Sequence, residues 1–139
     1  MSAEQNTQVV KDAYAAFGRG DVNAILAMVD DSVEWEGVKG SEGVAPHAGL
    51  RRGKAAVAEF FQILATTLDF QMFEPREFIA QGDAVASIGR YKATVKATKK
   101  VSEADWVMVF TLRNGKITRF REFTDSAAIV RSFGVAVGV

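Results

Sequence analysis

Two carboxylates near the end of the chain, Glu122 and Asp125, sit in the stretch GKITRFREFTDSAAI where strand-like alternation gives way to the apolar spacing of a helix. A carboxyl group in apolar surroundings loses ionisation and titrates nearer neutrality, where it can serve as a general acid or base. Both residues also have plainer uses. Asp125 precedes Ser126 and an apolar run, so it can cap free backbone N–H groups, a role worth about 1 kcal/mol. Glu122 can be a strand residue paired with an arginine. Other candidates lie far away in sequence. Glu36 follows Trp35 in VEWEGV, and His47, the single histidine, lies in a glycine-rich stretch beside Arg51 and Arg52. An unperturbed imidazole titrates where a base is useful, and the arginines could draw an anionic ligand.

Composition removes several alternatives. The chain has 139 residues, with 17 Lys and Arg balancing 17 Asp and Glu, so it offers no electrostatic footprint for nucleic acid or an anionic bilayer. With no cysteine, thiol chemistry and the common zinc frameworks are excluded, and no metal or cofactor is expected. The start, MSAEQNTQ, lacks the basic and apolar regions of an export signal, and the apolar stretch AAVAEFFQILATTLDF is too short to span a bilayer. A cytoplasmic protein without membrane contact is expected, with residues 1–139 as one domain.

These residues need elements to position them. Val10, Ala13, Tyr14 and Phe17 recur at helical spacing between Gln5 and Gly18, and VNAILAMV after Asp21 predicts a second, short helix. VEWEGV reads as a strand, and the following KGSEGVAPHAGLRRG as a long irregular loop. KAAVAEFFQILATTL predicts a third helix with Val57, Phe60, Phe61 and Leu64 on one stripe. Then FQMFEPREFIAQ, DAVASIGRYKATVKAT, ADWVMVFTL and KITRFREFT read as four strands, closed by a helix at DSAAIVRSF. Helices followed by strands predict an α+β fold, a curved antiparallel sheet with helices on one face.

Pairing around Asn114-Gly115 decides where Glu122 points. A two-residue turn sets Leu112 opposite Ile117 and Val107 opposite Glu122, whereas a three-residue loop with a glycine bulge sets Leu112 opposite Lys116 and Trp106 opposite Glu122. The second register gathers Trp106, Met108, Phe110, Leu112 and Phe120 on one face and separates polarity better. Glu122 then becomes the one charge on the interior face, where an unpaired carboxylate would cost several kcal/mol or titrate upward. Arg90 in the neighbouring strand is a candidate partner, although Gly89 can bend that strand.

In order of elements and in three motifs the chain resembles the NTF2-like cone fold, in its polyketide-cyclase-like and ketosteroid-isomerase-like branch. The motifs are YAAFGRGDVNAILAMVDDSVEWE, HAGLRRGKAAVAEFF, and IAQGDAVASIGRY with VFTLRNGKITRFREFTD. The resemblance implies a conical, mostly apolar pocket. The isomerase's base would fall at Glu36, and its two oxyanion donors at Ala13 and Trp106, which supply neither a tyrosine nor a protonated acid; Tyr14 is one residue away. The cyclases' acid, which forms an enolate for ring closure, corresponds to Asp125. The fold's epoxide hydrolases keep an acid at Glu122 but use an Arg-x-Asp pair where this chain reads Ser-Ile-Gly-Arg-Tyr. The expectation is a pocket for a small hydrophobic molecule, used for cofactor-free isomerisation or cyclisation. Asp125 or Glu122 would be the acid/base, and Tyr14, Trp35, Glu36, His47, Phe61, Arg90, Trp106, Met108 and Phe120 would shape the site. The alternative is a non-catalytic binding or dimerisation module. In it Val107, Val109 and Phe123, ringed by Arg119 and Arg121, form a two-fold interface, and a homodimer is expected in either case.

Overall fold

The structure, a computed structural model, describes residues 2–137. Helix α1 (Ala3–Gly18) begins with a reciprocal cap, the Ser2 hydroxyl accepting the Gln5 N–H while the Gln5 side chain accepts the Ser2 N–H. Its inward stripe is Val10, Ala13 and Ala16, small enough to let the helix lie close to the sheet. Asp21 caps α2 (Val22–Ala27), accepting the Ala24 N–H at 3.1 Å. Strands β1 (Val29–Gly37) and β2 (Gly49–Arg52) come before α3 (Lys54–Thr67), which buries Val57, Phe60, Phe61 and Leu64. Four longer strands follow, β3 (Leu68–Gln81), β4 (Ala84–Val95), β5 (Val101–Arg113) and β6 (Lys116–Thr124), and then α4 (Ser126–Ser132).

The fold is α+β as expected, with one curved, unclosed six-stranded sheet in the order β2-β1-β6-β5-β4-β3. Two expectations are corrected. The sheet is mixed, because β1 joins β6 in parallel, with Trp35 beside Phe120. The stretch expected to be irregular also contains β2, which pairs antiparallel with the end of β1. The rest of that stretch is packed rather than loose, with Val38, Ser41, Ala45 and His47 buried.

The β5–β6 hairpin follows neither predicted register. Asn114 (φ 52°) and Gly115 (φ 76°) form a two-residue turn, the conformation that Asn-Gly favours, and Leu112 faces Ile117 across it. An extra residue, Thr118, then bulges out of β6, and pairing resumes with Thr111 opposite Arg119 and Met108 opposite Glu122. The bulge lets Ile117 and Phe120, three residues apart, both point inward. It also returns Glu122 to the interior face with Trp106, Met108, Phe110 and Phe120. The expected facing of Glu122 therefore holds, by a different device.

Candidate functional site

Between the inner face of the sheet and helices α1, α3 and α4 lies a cavity of about 90 Å³. Its wall is mostly aromatic. Trp35 lies parallel to Phe120 with ring centres 4.0 Å apart, and Phe60 and Phe61 meet the same indole edge-on at 5.7 and 5.6 Å. Tyr14 and Phe17 from α1, Met108 and Phe110 from β5, and Phe133 after α4 complete most of the wall. Apolar walls of this kind favour uptake of a small apolar molecule over water.

Glu122 brings a carboxyl group into this wall. Two backbone features hold its strand at the cavity edge, where the Lys39 N–H donates to the Glu122 carbonyl at 3.2 Å and the Val38 N–H donates to Glu122 Oε1 at 3.3 Å. No cation pairs with the carboxylate among the described residues. Burial therefore dominates and pushes the Glu122 carboxyl from 4.5 up to about 7, the single backbone donor only partly opposing it. A carboxyl group poised at neutrality can take a proton and return it at the same pH.

Two tyrosines stand within the field of that carboxyl. The Tyr14 hydroxyl bonds Ser87 Oγ and reaches Met108 Sδ at 3.2 Å, and the Tyr91 hydroxyl bonds Ser102 Oγ. Burial raises both phenols, Tyr14 well above the ordinary tyrosine range; the serine hydrogen bonds oppose this and the Glu122 charge adds to it. Both hydroxyls consequently stay protonated at any physiological pH and serve as neutral donors. Tyr91 and Ser102 escaped the sequence reading. The signal was in the period of β4, where Val85, Ser87, Tyr91, Ala93 and Val95 are all buried and share one parity.

His47 lies on the cavity wall, only 5% exposed, and not in solvent as a glycine-rich loop would suggest. Its ring packs between Phe60 and Phe133, with centres 6.4 and 6.1 Å away. Arg51 holds its loop in place by donating to the carbonyls of Pro46, His47 and Ala48 at 2.9, 3.1 and 3.3 Å, and lies over the Phe60 ring. That arginine is a loop clamp rather than a receptor for an anion. Burial, aided by the Arg51 charge, lowers the imidazole from 6.5 to about 4, so His47 is neutral at physiological pH.

The remaining candidates fall outside the cavity lining. Asp125 is an exposed N-cap of α4, its Oδ1 accepting the Ala128 N–H at 3.1 Å, and it reaches the cavity only as a charge felt by Tyr91. Glu36 points away from the cavity because the alternate residues Val33, Trp35 and Gly37 are the buried ones, and it pairs with Lys39 at 3.9 Å. The same alternation in β4 sends Arg90 outward to Asp105 at 3.0 Å and Glu103 at 3.4 Å, so it is no partner for Glu122. Trp106 is 1% exposed but sits behind the wall, its indole parallel to Phe73 and 5.7 Å from the Tyr14 ring. It fills the space left by Gly89, where an added Cβ would stand 2.3 Å from Trp106 Cζ2. Tyr14, Trp35, His47, Phe61, Met108, Phe120 and Glu122 are the expected residues that the fold brings together.

A family profile described as "SnoaL-like domain" matches residues 10–120. No curated protein matches the chain. Among solved structures it is similar to an NTF2-like protein from Burkholderia xenovorans LB400, with 39% identity over 96% of this chain and 98% of that one and a TM-score of 0.86. An NTF2-like protein from Burkholderia pseudomallei K96243 is 25% identical over 97% of this chain and 100% of its own, with a TM-score of 0.85. TerC, co-crystallised with polyporic acid, is 28% identical over 94% of this chain and 99% of that one, with a TM-score of 0.80. The profile takes in most of the length, the relatives superpose over nearly all of it, and the chain belongs to the SnoaL-like domain family of NTF2-like proteins.

Proposed function

We propose that the protein binds a small, flat, largely apolar carbonyl compound in this cavity and moves a proton beside the carbonyl, as in isomerisation or aldol-type ring closure, without a cofactor. One observation carries the reading: Glu122 is a carboxyl group with no cationic partner among the described residues, on an aromatic cavity wall and held at about 7. In its ionised form Glu122 would take a proton from the carbon next to the carbonyl. The electrons move onto the carbonyl oxygen, which would accept a hydrogen bond from Tyr91 or Tyr14, and protonated Glu122 would return the proton at the new position. Aromatic walls exclude water and strengthen those hydrogen bonds. Co-crystallisation of the relative TerC with polyporic acid supports a small-molecule ligand. We further propose that residues 1–139 form one domain and that it works in the cytoplasm. Among the described residues no helix is long and apolar enough to cross a membrane.

The test is deuterium uptake next to the carbonyl of 1-tetralone in D2O, followed by NMR. Wild-type protein should accelerate exchange, and Glu122→Gln should lose about 100-fold or more of that rate while still binding the ketone. Exchange that survives Glu122→Gln would overturn the assignment of the base.

A second reading is favoured by a specific feature: each tyrosine hydroxyl already has a serine partner, which suits a rigid binding site without turnover. In that reading the ketone binds and is not exchanged. Under either reading the outer hairpin face would join two copies, because Phe123 is 36% exposed there and the buried Arg121 Nε has no partner among the described residues.

A further inference from the structure

Buried polar atoms in folded proteins almost always find hydrogen-bond partners, so those that lack one are informative. Two residues of the cavity wall, His47 and Trp35, each carry a buried ring nitrogen, Nδ1 and Nε1, that lacks a hydrogen-bond partner among the described residues. His47 is the more telling of the two. Its loop is not adventitious: three carbonyls clamped by Arg51 and a series of turns between Val38 and Ala48 hold it in place. The fold thus buries an imidazole at the cavity and leaves its Nδ1 without a hydrogen-bond partner among the described residues.

His47 reaches the cavity from a different part of the fold than the polar groups of the proposed reaction. Glu122, Tyr91 and Ser102 are carried by β6, β4 and β5, whereas His47 belongs to the loop and packs on Phe60 of α3 and on Phe133 after α4. We infer that His47 is a ligand-anchoring residue, and that the natural ligand is an aromatic carbonyl compound bearing a second polar group, a hydroxyl or N–H, on a different edge of its ring. This rests on the proposed use of the cavity and adds the class of compound that fits it. The carbonyl edge faces Glu122 and the tyrosines, the aromatic body lies against Trp35 and Phe120, and the second polar edge meets the imidazole. With neither tautomer fixed by a neighbour, the ring is free to accept from a hydroxyl or to donate to an oxygen. Its neutrality at physiological pH agrees with this role.

The experiment compares 6-hydroxy-1-tetralone with 1-tetralone by titration calorimetry and by NMR of protein labelled with 15N-histidine. Because His47 is the single histidine, its two ring nitrogens are the only imidazole signals. The wild type should bind the hydroxylated ketone about tenfold more tightly, the scale of one well-made hydrogen bond. The imidazole signals should move with the hydroxylated ketone and not with its parent. His47→Phe, which keeps an aromatic ring between Phe60 and Phe133, should collapse the preference to within about twofold, and His47→Gln should retain part of it. A preference that survives His47→Phe, or imidazole signals that ignore both ketones, would overturn the inference while leaving the cavity as a binding site. If neither ketone binds the wild type, the proposed function itself falls and this inference falls with it.

Discussion

Glu122 and His47 make opposite contributions to stability over nearly the same pH range, and the consequence is measurable without any ligand. Burial holds the Glu122 carboxyl at about 7 instead of 4.5, so between those values the folded protein keeps a proton that the unfolded chain releases. Stability from this group is present at low pH and declines as pH rises through the window, by about 1.4 kcal/mol per pH unit and about 3 kcal/mol in all. Burial holds His47 at about 4 instead of 6.5, so there the unfolded chain takes up a proton that the folded protein refuses. Its contribution declines as pH falls, again by about 3 kcal/mol in all. Between about pH 4.5 and 6.5 the two slopes cancel, and wild-type stability should be nearly flat. Glu122→Gln should expose the His47 slope, with the protein losing about 3 kcal/mol on acidification from pH 6.5 to 4. His47→Phe should expose the reverse, a gain of about 3 kcal/mol on acidification from pH 7 to 4.5. Urea unfolding at constant ionic strength, followed by the fluorescence of the buried indoles of Trp35 and Trp106, reads each value. The refuting result is a pair of variants whose pH profiles parallel that of the wild type, which would mean that neither group is buried as described.

Three further outcomes are expected. Asp125→Ala should cost about 1 kcal/mol in urea unfolding through loss of the α4 cap, leaving ketone exchange within about twofold of wild type; a large loss of exchange would restore Asp125 to the reaction. Gly89→Ala should lower stability by about 3 kcal/mol or prevent folding, since its Cβ would stand 2.3 Å from both Glu74 O and Trp106 Cζ2, and a thermal melt within a degree or two of wild type would contradict that packing. Tyr91→Phe should slow ketone exchange about 10- to 100-fold without a matching loss of affinity if the phenol holds the developing oxyanion; equal losses in both would make it a binding group only.

The sequence revealed what depends on local repetition and hid what depends on distant neighbours. Helices α1, α3 and α4, strand β6 and the presence of β3, β4 and β5 could be read because their apolar residues recur at fixed periods. Glu122 was found by the same means, its parity matching Phe120 and Met108. The parallel pairing of β1 with β6 joins residues at least 85 positions apart, such as Trp35 and Phe120, and no local pattern announces it. The Thr118 bulge was equally hidden: a two-residue turn and an extra strand residue leave the same alternation as a longer loop, so facing could be read and register could not. His47 was named as a site residue, but its burial could not be read, because glycine and proline signal irregular backbone while burial of that backbone depends on α3, α4 and the Arg51 clamp. Arg90 was a candidate partner for Glu122 because it lies in the neighbouring strand, whose facing Gly89 left open; the buried neighbours Ser87 and Tyr91 resolve it and turn attention to the tyrosine.

Gly37, the last residue of β1, sets a limit on how such a cavity could be altered. A Cβ there would lie 2.5 Å from the His47 carbonyl oxygen and 2.9 Å from Phe60 Cε1, so the strand end, the loop and α3 meet around a missing side chain. A methyl group at this point would press outward on two walls of the cavity together and carry the imidazole with them. Position 37 is therefore a place from which chamber width and the reach of His47 would change as one. An engineer seeking a roomier chamber for larger rings would do better to trim Phe61 or Met108, which line the space but do not brace the loop.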